Sequence, residues 1–171
     1  MSNKGFTLLE VLVAISLLTF GIGGAFMLVT QTVISSQLTE SRLEAVYLAQ
    51  EGAELVRNVR DANFLNVYKG TGTDWLEGLR GCEAGCEADF NDAVLTSFDG
   101  RFLKIGGGFY NYDSGLDTYF KRKIIISDLT ELDDPPDGIT DRVKVAVEIY
   151  WQERGQTHKI TVQEFLYKWW Q

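Results

Sequence analysis

Four groups of residues in this chain have types and spacings that could do chemistry. Glu10 is an ionisable side chain inside a long apolar stretch. A charge at membrane depth costs roughly 2.5–3.5 kcal/mol, so Glu10 is either a functional group or an interfacial carboxylate reaching headgroup water. Cys82 and Cys86, in the run CEAGC, could close a small disulfide loop, for which a Cα separation of ~4.4–6.8 Å suffices. Free thiols are the other reading, and a zinc site would need ligands that the neighbouring residues do not supply. Asp133, Asp134, Asp137 and Asp141 cluster in DDPPDGITD. Calcium favours several oxygens at ~2.3–2.6 Å, but the run lacks the EF-hand pattern and reads more simply as a rigid, solvated turn between strands. His158 is the single histidine, no nucleophile elbow or paired-carboxylate motif accompanies it, and a strand residue near a turn is its simplest reading. No catalytic residue, metal site or cofactor is therefore expected.

Between Glu10 and Glu40 the sequence has no charged residue, a gap of about 29 residues. As a helix at ~1.5 Å per residue this gap would span about 43 Å, more than the ~30 Å hydrocarbon core of a bilayer. A secretory signal would have a shorter apolar run followed by a small-x-small cleavage site, which SSQLTES does not offer. A retained membrane helix is expected, and Lys4 favours a cytoplasmic N-terminal side with the remainder outside. The outside of a membrane is commonly oxidising, which favours the disulfide reading of Cys82 and Cys86. The formal net charge is -8, so bulk charge does not support a nucleic-acid partner.

The run Lys4-Gly5-Phe6-Thr7-Leu8-Leu9-Glu10-Val11-Leu12-Val13-Ala14 closely resembles the cleavage and methylation signature of type IV pilins and pseudopilins. The resemblance covers the N-terminal helix. It implies a leader at 1–5, cut between Gly5 and Phe6 by a prepilin peptidase that also N-methylates Phe6. It further implies that Glu10 pairs with the Phe6 ammonium of a neighbouring subunit during assembly. The implied function is a structural, minor subunit of a type IV pilus or related filament, not an enzyme. The implied partners are other pilin subunits, the prepilin peptidase, an inner-membrane assembly platform and membrane lipid. The implied location is the cytoplasmic membrane, as a single-pass protein, and then an extracellular filament. A pseudopilin of a type II secretion system and a ligand-binding tip adhesin share the signature and stand as alternatives. Major pilins carry a proline near the position of Met27; here Gly21, Gly23 and Gly24 stand nearby instead. They either let the helix unwind in a filament or let helices pack closely.

The elements follow from periodicity. Residues 6–39 read as a transmembrane helix, which the resemblance implies also becomes the filament core, and 40–171 read as a head. Leu38, Ala45, Ala49, Gly52, Val56 and Val59 recur at helical spacing, which predicts an amphipathic helix over 40–62. Residues 63–115 are glycine- and aspartate-rich and read as irregular, and the resemblance implies that this is the region in which subunits vary. Residues 116–171 read as an antiparallel sheet: Tyr119–Ser127, Asp141–Trp151 with Val143, Val145, Val147, Ile149 and Trp151 on one face, and His158–Trp169 after a turn at Glu153-Arg154-Gly155. In the last of these the apolar phase moves from Ile160 and Val162 to Phe165, Tyr167 and Trp169, which predicts a bulge or bend. Tyr167-Lys168-Trp169-Trp170 is expected to close the head's core, with an exposed contact surface as the other reading. The fold class is α+β, a long N-terminal helix on a small antiparallel sheet.

Overall fold

A single helix, α1, runs over Leu8–Tyr68, 61 residues in all. The computed structural model describes residues 5, 7–128 and 142–169, and the chain divides into two compact units, Met1–Ser41 and Arg42–Gln171. In the first unit α1 is long and apolar enough to cross a membrane, with an 18-residue window of mean hydropathy 2.3. Its described residues 7–33 are all exposed. Apolar side chains all round a helix with nothing packed on them suit a lipid environment. Gly21, Gly23 and Gly24 lie within the continuous helix.

In the second unit α1 buries Ala45, Leu48, Ala49, Ala53, Val56, Val59 and Phe64. The helix extends past the expected end at 62 because Asn63 does not break it. The Asn63 amide instead donates to the carbonyls of Trp75 (3.1 Å) and Glu77 (2.7 Å), and Phe64 stacks on Trp75. Gly70, at φ 72°, then ends the helix, its N–H donating to Val67 O.

The stretch expected to be irregular contains short strands: β1 (Cys86–Glu87), β2 (Thr96–Ser97), β3 (Lys104–Gly106) and β4 (Phe109–Asn111). After β5 (Leu116–Asp117) come the three long strands β6 (Phe120–Asp128), β7 (Arg142–Glu153) and β8 (Gln156–Tyr167). They form a five-stranded sheet in the order β2-β1-β6-β7-β8 and a three-stranded sheet in the order β4-β3-β5, all pairings antiparallel. The architecture is α+β and type IV pilin-like. β7 buries Val143, Val145, Val147, Ile149 and Trp151, the face that alternation marks out. The two-residue turn Arg154-Gly155 has positive φ at both positions, 54° and 76°, the geometry that matches the twist of a hairpin.

The expected bulge in β8 is absent. Its register against β7 runs unbroken from Arg142↔Tyr167 to Glu153↔Gln156. His158, Ile160, Val162, Glu164 and Leu166 share the inner face, while Phe165 and Tyr167 point outward. The apolar phase breaks because Glu164 occupies an inner position, where its carboxylate pairs with Arg57 of α1. The aromatic C-terminus likewise does not close the core: Leu166 does so, while Tyr167 and Trp169 stay exposed, although Trp169 reaches the Phe64 ring at 5.0 Å. Trp170 lies outside the described residues.

Candidate functional site

Thr7 initiates α1. Its carbonyl accepts Val11 N–H at 3.2 Å and its hydroxyl accepts Glu10 N–H at 3.3 Å, so Thr7 is the N-cap and Glu10 the third helical residue. Thr7-x-x-Glu10 is a capping-box sequence, a signal the sequence reading passed over. The carboxylate thus sits in the first turn, where the exposed N–H groups and the helix dipole favour negative charge. Glu10 is exposed and no side chain among the described residues pairs with it. Gly5 is exposed. Lys4 and Phe6 lie outside the described residues.

The other sequence candidates lie in the second unit. Cys82 and Cys86 are joined by a disulfide with a Cα separation of 5.2 Å, and both are buried. The loop they close is part of the sheet's margin: Cys82 O accepts both Gly85 N–H and Ile126 N–H at 3.1 Å. His158 stacks on Trp151 with ring centres 5.2 Å apart. The Asp133–Asp141 run lies outside the described residues. Among the described residues no group of three or more His, Cys, Asp or Glu converges as a metal site.

Among the described residues two fully buried charged groups escaped the sequence reading. Arg122 is fully buried, donating to Glu51 Oε1 at 3.2 Å and to Ala88 O at 2.9 Å. Glu87 is fully buried beneath residues 99–101 and paired with Arg101 at 2.8 Å. Both hold loops and strands in place. In a strand pattern such as FKRKIII, the one signal for Arg122 was its phase, since it alternates with Phe120, Ile124 and Ile126.

An apolar helix that opens with a capped, acidic first turn, continued along the chain into an antiparallel α+β unit, is a type IV pilin-like arrangement. Comparison with family models agrees: residues 1–26 match the prokaryotic N-terminal methylation motif. The N-terminus therefore carries a type IV pilin-like prepilin signature, and with the long apolar helix it fits a membrane-anchored protein of that kind. Comparisons with curated proteins and with solved structures find no match.

Proposed function

We propose that the chain is a minor subunit of a type IV pilus or related filament. In this reading residues 1–5 are a leader, and a prepilin peptidase hydrolyses the Gly5–Phe6 amide on the cytoplasmic side of the inner membrane. Hydrolysis leaves a carboxylate on Gly5 and an amine on Phe6, whose nitrogen then takes a methyl group from a sulfonium methyl donor, breaking its C–S bond and releasing one proton and the thioether. The helix anchors the subunit until an assembly platform extracts it into an extracellular filament. The observation that carries the reading is the methylation motif at residues 1–26, set at the head of one uninterrupted apolar helix.

The Glu10 carboxylate would pair with the Phe6 ammonium of a neighbouring subunit. In low dielectric an unpaired charge is strongly disfavoured and a paired one tolerated, so the contact fixes register more than it adds stability. The test is the intact mass of the protein from cells with and without an active prepilin peptidase. Loss of Met1–Gly5 with gain of one methyl group, only when the peptidase is present, is the expected result. An uncleaved N-terminus in both cell types would overturn the reading.

A further inference from the structure

One buried carboxylate fastens a loop that carries two phenylalanines. Glu87 accepts backbone N–H groups from Asp99 at 3.2 Å, Gly100 at 2.9 Å and Arg101 at 3.1 Å, and the Arg101 Nε–H at 2.8 Å. At the loop's ends Phe98 N–H donates to Gly85 O at 3.1 Å and Leu103 N–H to Phe120 O at 2.8 Å. Phe98 and Phe102 are thereby set against the outward side chains of β6. Lys121 Nζ lies 4.4 Å from the centre of the Phe102 ring, and Lys123 Nζ lies 5.4 Å from that of Phe98. Among the described residues no carboxylate forms an ion pair with Lys121. In a chain of net charge -8 an unpaired ammonium held over a ring is notable.

Loop and sheet enclose an open cleft of about 360 Å³ around Lys121, within the range of roughly 300–1,000 Å³ typical of small-molecule sites. Phe98, Phe102, Tyr119 and Tyr150 form its walls. Gln152 and Thr157 add an amide and a hydroxyl. We propose that this cleft binds an acidic sugar, a pyranose ring bearing one carboxylate. The C–H faces of the sugar would lie on the aromatic rings, the carboxylate on the Lys121 ammonium, and the hydroxyls on Gln152 and Thr157. A purely apolar ligand would leave those two polar groups and the ammonium unmatched, and a neutral sugar would leave the ammonium unmatched. The same chemistry is offered by a free uronate and by a uronate residue of a polysaccharide. The proposal stands on the cleft alone, independently of the filament reading.

The test is calorimetric titration of the full chain in zwitterionic, sugar-free micelles with sodium glucuronate, trigalacturonate and glucose. Both uronates bind saturably, and glucose binds at least about 10-fold more weakly, as expected when a charge-assisted contact is lost. Trigalacturonate binding more tightly than glucuronate identifies a polymer as the source, whereas equal affinities identify a single sugar. Lys121→Met, which keeps the aliphatic stem over Phe102, weakens glucuronate binding about 10- to 100-fold while barely changing that of glucose. Should Lys121→Met fail to fold, Lys121→Gln, which also removes the charge, supplies the same comparison with a smaller loss. Absence of saturable uronate binding, glucose binding as tightly as glucuronate, or equal glucuronate affinity in a folded variant and the parent would each overturn the proposal.

Discussion

Arg122 and Glu51 form an ion pair at 3.2 Å in which only one partner can reach water: the Arg122 side chain is fully buried, whereas Glu51 keeps 35% of its surface exposed. The asymmetry has an energetic consequence. Removing Glu51 leaves a buried guanidinium short of its counter-charge, while removing Arg122 leaves a carboxylate that can hydrate. Glu51→Gln is therefore expected to destabilise the head more than Arg122→Met, which retains most of the volume. Losses for breaking fully buried pairs run to about 3–5 kcal/mol, and the Arg122→Met loss should fall below that range. Urea unfolding followed by tryptophan fluorescence measures both, and the reverse order would show that packing around Arg122, not charge, dominates.

Gly52 sits at a close approach of α1 to the sheet. A Cβ there would lie 2.8 Å from Val147 Cγ1 and 2.9 Å from Arg122 Cδ. Val147 is stiff at χ1 and Arg122 is fixed at both ends of its side chain, so neither can yield cheaply. Gly52→Ala gains about 1 kcal/mol in helix propensity but incurs overpacking of roughly 1–3 kcal/mol. The expected outcome is a net loss of about 1 kcal/mol in the same urea titration. Any gain in stability would show that the helix can shift outward from the sheet.

What the sequence disclosed and what it hid separate along physical lines. The apolar helix, the stripe through Ala45, Ala49, Gly52, Val56 and Val59, and the alternating face of β7 were legible because each is a periodic burial pattern within one element. The phase of β8 was misread because Glu164 on the inner face is explained only by Arg57, which lies far away in the sequence. The short strands β1–β4 were missed for a related reason, since two- or three-residue pairings carry no periodicity. Their glycines, such as Gly107 and Gly108 with φ of 62° and 88° between β3 and β4, also read as loop. At the N-terminus the methylation motif was legible, since residues 1–26 match its family model, while the capping role of Thr7 escaped.

The disulfide between Cys82 and Cys86 closes a small loop, so its entropic effect on the unfolded chain is correspondingly limited. The loop-entropy relation gives about 2 kcal/mol for a loop of this size. Cys82→Ser with Cys86→Ser should lower stability by about that amount without loss of the fold, because the backbone bonds at Cys82 O persist. Complete unfolding of the double variant would mean the cystine organises far more of the head than its own loop.

Glu164 and Arg57 offer a second asymmetric pair. Glu164 retains 20% exposure and Arg57 42%, and the attraction of Glu164 is the main influence raising the Arg57 pKa. Glu164→Leu would restore the apolar phase of β8 and leave a guanidinium that can reach water, so stability should be unchanged or slightly higher. Arg57→Leu strands a mostly covered carboxylate, one of whose oxygens already lacks a partner, and should cost about 1–3 kcal/mol. Equal losses from the two variants would contradict the assignment of Glu164 as the costly member.

Glu148 couples stability to pH at both ends of the scale through its two partners on the outer sheet face. Burial alone would raise its carboxyl, but hydrogen bonds from Lys159 and Tyr150, with the charge of Lys159, hold it below its ordinary value. A depressed carboxyl contributes stability that is present above the unfolded value of about 4.3 and is lost as pH falls through the lower folded value. Tyr150 behaves oppositely: burial, then its hydrogen bond to Glu148, pushes the phenol up to about 12. That contribution is complete below about pH 10, the unfolded value, and is lost as pH rises toward 12. Unfolding midpoints measured across pH should therefore fall at both extremes. Tyr150→Phe should flatten part of the alkaline fall, leaving the shares due to Tyr112, which burial also pushes up to about 12, and to Tyr110, which burial and its hydrogen bond to Glu44 push up as well. Glu148→Gln should also flatten part of the acid fall, leaving the share due to Asp74, whose carboxyl burial would raise but the Leu76 N–H and Arg80 hold down. A profile identical to the parent's at both ends would show that this cluster is solvated too well to be coupled to folding.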